Sequence, residues 1–247
     1  MYPIICKIGP FTIYSYGLML AIAFIVVSWL VTKRAKKENI KLDFIFDFLF
    51  LVFILGIIGA RLFFVIENSG YYVKHPSQIV MLNYGGLSWY GGLLAGVTTA
   101  IIYLKKKGLS VYNTLDLVIP FLALGQAIGR TGCLLNGCCY GKASRFGIYF
   151  PVHDAVLIPT QLYSSLLLIL IYIFLRYVQE RPHRKGEIFF SYLALYSLMR
   201  FIMEFLRADN PVVFSGLTLF QVLSLLIFLL SSLKLLMIKK RKVNERI

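Results

Sequence analysis

The chain has 247 residues, of which 59% are hydrophobic and only 15% charged. Soluble domains run about 45–50% apolar and about 25% charged, so a soluble helical protein is a poor fit. The formal charge of +15 would suit nucleic acid, but the way that charge is distributed along the chain argues against it. The apolar residues fall in blocks long enough to cross a bilayer core of about 30 Å, which needs about 20 helical residues. Taken in order, the blocks predict seven spans, roughly 13–32, 44–66, 87–104, 115–135, 158–178, 187–206 and 216–238. The first block follows only Lys7 and ends at the basic run Lys33–Lys37. That pattern reads as a first span and not as a cleavable signal. The expected fold is an all-α integral membrane protein with about seven transmembrane helices, forming a single polytopic domain over 1–247.

Orientation follows from Lys and Arg. Alternate loops hold Lys33, Arg34, Lys36, Lys37 and Lys41; Lys105, Lys106 and Lys107; Arg176, Arg181, Arg184 and Lys185; and, in the tail, Lys234, Lys239, Lys240, Arg241, Lys242 and Arg246. These are 18 of the 26 basic residues, and the opposite side holds only Lys7, Lys74, Lys142, Arg145 and Arg207. Basic loops stay cytoplasmic, so the N-terminus is expected outside and the C-terminus inside, against the anionic leaflet. On this topology Cys6, Cys133, Cys138 and Cys139 lie on or near the outer face, where disulfides are allowed. The two longest outer loops, 67–86 and 136–157, are polar and rich in turn signals such as Asn68-Ser69-Gly70 and His75-Pro76. They suggest either chemistry at the outer-leaflet level or simple connections between spans.

An ionisable residue at membrane depth costs on the order of 3 kcal/mol and persists when it has a partner or a task. Arg61 follows Gly56 and Ala60, a small-xxx-small pair that lets a neighbouring helix approach. It reads either as a ligand for substrate or as an arginine snorkelling to the surface near Glu67. Arg130 borders a face bared by Gly125, Gly129 and Gly132. A guanidinium fork there suits a phosphate, or a structural ion pair. Arg200, Glu204 and Arg207 share one helix face by their spacing. The stripe is either self-neutralising or an anion site. Tyr90 sits between the pairs Gly85-Gly86 and Gly91-Gly92, as an interface anchor or as a group presented to a ligand. Asp116 and Glu187, near the cytoplasmic ends of their spans, are expected to be structural. Together the residues give a lipid-phosphate site without giving a reaction.

The chain as a whole resembles the prolipoprotein diacylglyceryl transferases. The resemblance is carried in order by IGP at 8–10, YSYGLM at 14–19, Gly59-Ala60-Arg61, GLSWYGG at 86–92, GRTGCLLNGCCYG at 129–141, PTQLY at 159–163, RFIMEFLR at 200–207 and GLTLFQ at 216–221. The resemblance implies transfer of a diacylglyceryl group from phosphatidylglycerol to the lipobox cysteine of a prolipoprotein signal peptide, in a bacterial plasma (inner) membrane. The product is a thioether, glycerol phosphate leaves, and no cofactor is needed. It also implies that Arg130 and Arg200 hold the phosphate. Tyr90 would orient the substrate or act as a base, and Tyr16, Arg61, Asn136, Gly137, Glu204 and Arg207 would bind substrate.

The chain departs from the family signature GRxGNFxNGE at its asparagine and glutamate positions. Cys133 stands for the asparagine and Cys138 for the glutamate, while Asn136 and Gly137 agree. Metal ligation by Cys133, Cys138 and Cys139 is not expected, because they lack a fourth ligand and a paired CxxC spacing. A disulfide-stapled loop, a transferase with another acceptor, an anionic-solute transporter and a thiol–disulfide oxidoreductase remain competing readings. No internal repeat supports the transporter.

Overall fold

The computed structural model describes residues 1–8, 11–80, 86–207, 210–214 and 216–244. Gly9 and Pro10 of the opening motif, Gly85 of the first glycine pair and Arg246 of the tail lie outside the described residues. The long helices are α1 (Ser15–Lys37), α2 (Leu42–Glu67), α4 (Trp89–Lys106), α5 (Val111–Asn136), α6 (Thr160–Gln179), α7 (Glu187–Glu204) and α8 (Leu219–Asn244). A single turn, α3 (Ser69–Tyr72), and a short 3-10 helix, Pro76–Ile79, lie between α2 and α4. Each of the seven predicted spans coincides with one of the long helices. Five of them, Ser15–Lys37, Leu42–Glu67, Val111–Asn136, Thr160–Gln179 and Leu219–Lys240, are long and apolar enough to cross a membrane. The other two, α4 and α7, have 18 residues each, or about 27 Å at 1.5 Å per residue. The chain is therefore a multi-pass, mostly helical membrane protein.

Among the described residues the structure adds to the all-helical expectation three two-stranded sheets, one before α1 and two in the connections. They pair β1 (Ile4–Ile8) with β2 (Phe11–Tyr14), β3 (Ala143–Phe150) with β4 (Ala155–Leu157), and β5 (Val212–Phe214) with β6 (Leu217–Thr218). The 136–157 segment, expected as an irregular loop, thus carries the β3–β4 hairpin. Its strand was hard to see because Phe146 is almost fully exposed and the apolar alternation is broken.

The chain divides into two compact units. One holds residues 1–8, 13–27 and 112–247, and the other holds 9–12 and 28–111. In the smaller unit α2 packs on α4 through bare backbone. A Cβ on Gly59 would lie 2.2 Å from the Ala95 Cβ, and one on Gly91 would lie 2.4 Å from the Gly59 carbonyl oxygen. The small-residue face predicted at Gly56 and Ala60 is this contact, where a Cβ on Gly56 would lie 3.7 Å from the Gly92 carbonyl oxygen.

The larger unit is built on α5, α6 and α7, whose core joins Ile119, Ala123 and Ala127 to Leu168, Ile171 and Leu175 and to Ile188, Tyr192, Met199 and Met203. Pro120 interrupts α5 and has no N–H to give to the carbonyl of residue 116. The Gln179 amide of α6 takes that place, donating to the carbonyls of Asp116 at 2.8 Å and Leu117 at 3.2 Å. The Asp116 carboxylate in turn accepts from the backbone N–H groups of Gly186 (2.5 Å) and Phe189 (2.8 Å), capping α7. Exposed apolar side chains run along α2 and α8, among them Phe46, Phe50, Leu62, Leu226 and Leu230. Such faces suit acyl chains and not water.

Candidate functional site

In the larger unit α7 carries Arg200 and Glu204 one turn apart. The Arg200 Nη2 lies 2.8 Å from the Glu204 Oε2. The other carboxylate oxygen accepts from the Asn210 amide (2.6 Å) and the Thr218 hydroxyl (2.9 Å), and Glu204 is buried. The Arg200 guanidinium also lies over the Phe220 ring, 5.0 Å from its centre. The spacing argument for this face holds at Arg200 and Glu204. Glu204 fixes Arg200 and leaves the rest of its fork available.

Arg130 enters from α5. It is within electrostatic reach of Tyr196, Cys133, Cys139 and Arg207. Arg200 feels Arg207, Glu204, Tyr196 and Arg130. The structure thus gathers three guanidiniums, at 130, 200 and 207, in one place. Among the described residues Arg130 has no carboxylate partner. Tyr192 donates to the Gln126 Oε1 at 2.7 Å and stacks on Tyr196, which ties α5 to α7 just below the arginines.

The bare face of α5 has two uses. A Cβ on Gly132 would meet the Met19 Cβ at 3.0 Å and the Tyr16 Cα at 3.4 Å, and one on Gly125 would meet Val27 at 2.8 Å. The first part of α1 packs there and brings Tyr16 within electrostatic reach of Arg130 and the three cysteines. Gly129, beside Arg130, has open space around it.

After Asn136, the last residue of α5, the chain turns sharply at Gly137, whose φ of 74° is in the left-handed region that favours glycine. His153 Nε2 bonds the Gly137 carbonyl at 2.9 Å. The Thr160 hydroxyl donates to the Cys139 carbonyl at 2.6 Å, and the Gln161 amide donates to the Cys138 carbonyl at 2.6 Å. Gly141 pairs with Arg207 in a bridge so tight that a Cβ on Gly141 would lie 2.6 Å from the Leu206 carbonyl oxygen. The turn therefore fixes the cysteines beside the arginines. The Sγ atoms of Cys133, Cys138 and Cys139 all lie within 4.8 Å of one another. All four cysteines are free thiols. Cys133 and Cys138 act as hydrogen-bond partners that lower the pKa of the Cys139 thiol. With the positive charge of Arg207 and Arg130, they hold its thiol below the ordinary range despite burial. Thr160 and Gln161, buried at the start of α6, were named only as part of a motif. Their role as carbonyl anchors becomes visible once the turn is built.

Arg61 and Tyr90 belong to the smaller unit. Arg61 is buried, so it does not snorkel. Its guanidinium donates to the carbonyls of Gln78 (2.7 Å), Ile79 (2.9 Å) and Gly86 (2.9 Å) and sits over the rings of Tyr72 and Phe64. These are loop-anchoring contacts. Tyr90, in the first turn of α4, is partly exposed and packs edge-on against Trp89.

A multi-pass helical membrane protein with arginines and thiols gathered at the end of its helices belongs to the class equipped to hold an anion there. The family model described as prolipoprotein diacylglyceryl transferase matches residues 3–237. A phosphatidylglycerol–prolipoprotein diacylglyceryl transferase of Streptococcus pyogenes serotype M1 is 36% identical over 205 residues, covering 79% of this chain and 79% of that protein. The enzyme of the same name from Streptococcus agalactiae serotype III is 33% identical over 205 residues, covering 79% of this chain and 80% of its own. The chain belongs to the prolipoprotein diacylglyceryl transferase family.

Proposed function

We propose that this chain is a transferase that moves the diacylglyceryl group of phosphatidylglycerol onto a prolipoprotein, at the thiol of its lipobox cysteine. Its setting is the plasma (inner) membrane of a bacterium, crossed by seven spans with the N-terminus outside and the C-terminus in the cytoplasm. One observation carries the assignment of the site. Arg130 is a partly buried cation with no carboxylate partner among the described residues, set beside Arg200 and Arg207. An uncompensated charge at that depth is costly unless an anion arrives. A phosphodiester headgroup is such an anion.

The chemistry follows from charge. A thiolate is the nucleophile. It attacks the glyceryl carbon next to the bridging phosphate oxygen; the S–C bond forms, the C–O bond breaks, and its electron pair leaves with glycerol phosphate. The lipid begins with one negative charge and the leaving group ends as a phosphate monoester with up to about two. Guanidiniums preorganised around that oxygen bind the transition state better than the ground state. Arg130 and Arg200 hold the phosphate, with Arg207 beside them and Glu204 orienting Arg200. Tyr16, Asn136 and Gly137 line the same region, and Arg61 binds substrate. Tyr90 orients the acceptor or takes its proton. Incubation of the purified chain with phosphatidylglycerol and a lipobox peptide tests the reading. The expected result is a peptide heavier by one diacylglyceryl group on its cysteine, and an unmodified peptide overturns it.

A further inference from the structure

Cys133 and Cys138, which replace the asparagine and glutamate of the family signature, are neighbours in space, and Cys139 joins them. Their three Sγ atoms lie within 4.8 Å of one another. Tetrahedral zinc with Zn–S bonds of about 2.3 Å sets its sulfurs about 3.8 Å apart, so the cluster needs to contract by an ångström or less. The backbone around it is held for a purpose other than ease. Cys139 has a φ of 63°, a left-handed conformation that costs a non-glycine residue on the order of 1 kcal/mol. The buried side chains of Thr160 and Gln161 hold the carbonyls of Cys139 and Cys138. The Gln161 Oε1 is buried with no partner among the described residues, an acceptor in reserve beside the turn. An odd number of thiols is a poor set for disulfides, since any one bridge leaves a third sulfur over. Three soft sulfurs suit a d10 cation. Three thiolates on zinc(II) carry a net charge of −1, and Arg207 stands within electrostatic reach to balance it.

We propose that Cys133, Cys138 and Cys139 form a three-thiolate zinc site whose fourth position takes the thiol of the acceptor cysteine. The fourth-position role rests on the transferase reading above; the site itself does not. The acceptor thiol binds the cation and loses its proton to solvent, since a coordinated thiol is deprotonated outright. The bound sulfur then forms its bond to the glyceryl carbon as the C–O bond to phosphate breaks. The thioether product is neutral and a weaker ligand, so it departs and leaves the three-thiolate site as it was. A site with three protein ligands and one open position is the usual arrangement of catalytic zinc.

The test uses the full chain in detergent, reduced, stripped with a chelator and titrated with Co²⁺ and then Zn²⁺, in the absence of phospholipid. The expected result is one Co²⁺ per chain, with sulfur-to-cobalt charge-transfer absorption and strong visible bands that Zn²⁺ abolishes. C133S, C138S and C139S each weaken binding more than about 100-fold, beyond the 10–100-fold typical of outer-shell changes. Cys6→Ser leaves it unchanged. Zn²⁺ raises the thermal midpoint of the wild type and of C6S alone, which separates lost binding from lost folding. A lipobox peptide shifts the visible bands, and its Cys→Ser analogue does not. Absence of the charge-transfer band overturns the site, as does its survival in the three serine variants. So does a disulfide among the three found in protein taken from membranes under a thiol-blocking reagent. An unshifted spectrum with the peptide, or full transfer by a metal-free C133S/C138S/C139S chain, overturns the fourth-position role and leaves transfer standing. A normal cobalt spectrum with no diacylglyceryl on the peptide overturns the transferase reading and leaves the site standing.

Discussion

Arg61 and Arg130 are both arginines near the end of an apolar helix, and both could be read as lipid ligands from sequence. Their surroundings differ in kind. Arg61 donates to three backbone carbonyls and lies over two aromatic rings, all of them neutral groups. Arg130 is crowded by two other guanidiniums and by thiols. An arginine whose donors meet carbonyls stabilises the protein that surrounds it. One forced against like charges stores a repulsion that an incoming anion relieves. The number and type of partners, and not depth in the membrane, distinguish the two arginines.

The largest expected effect sharpens this contrast. Arg130→Ala and Arg200→Ala should each lower transfer to a lipobox peptide by more than about 100-fold, the scale of losing one preorganised donor to a developing charge. Arg130→Ala should leave the thermal midpoint in detergent within a few degrees of wild type; a collapse in stability instead would make Arg130 a second Arg61. Next, Arg61→Ala should destabilise the folded chain by about 3 kcal/mol, because it strands carbonyls that now accept charged hydrogen bonds. Hydrogen exchange at Gln78 and Ile79 should accelerate, and unchanged exchange would break the comparison from the other side. Gly59→Ala should cost about 1–3 kcal/mol by overpacking α2 on α4, where the new methyl would lie 2.2 Å from the Ala95 Cβ. The smallest effect is at Gly129. Alanine there meets open space, so helix propensity should raise stability by up to about 1 kcal/mol. If lipid packs on that bare backbone, transfer should fall while stability rises, and unchanged transfer would place the lipid elsewhere.

What was legible in the sequence was whatever depends on spacing along one helix. Gly56 and Ala60 announced the α2–α4 contact, Arg200 and Glu204 announced their ion pair, and Gly125 and Gly132 announced the seat of α1. Block length placed all seven long helices, although α4 and α7 proved shorter than the rest. What was hidden depends on residues joined across turns. The convergence of Cys133 with Cys138 and Cys139 needs positive φ at both 137 and 139, and the second is a cysteine. The anchors at Thr160 and Gln161 act on backbone carbonyls more than 20 residues away, where no side-chain pattern points. The sequence left Arg61 open between snorkelling and ligand binding because its partners are carbonyls, which carry no residue signature.

The Asp116 carboxylate, which caps α7 at Gly186, also serves as a levelling mark. Arg130 stands 14 residues beyond Asp116 on one helix, and Arg200 stands 14 residues beyond Gly186 on its neighbour. The two helices run the same way, since Gln126 meets Tyr192 between these points. At 1.5 Å per residue both guanidiniums are borne about 21 Å from the pin. A slip of α7 by a single residue at the far end would set the two forks out of step by that residue's rise. One aspartate with no access to substrate thereby keeps two cations on the same storey.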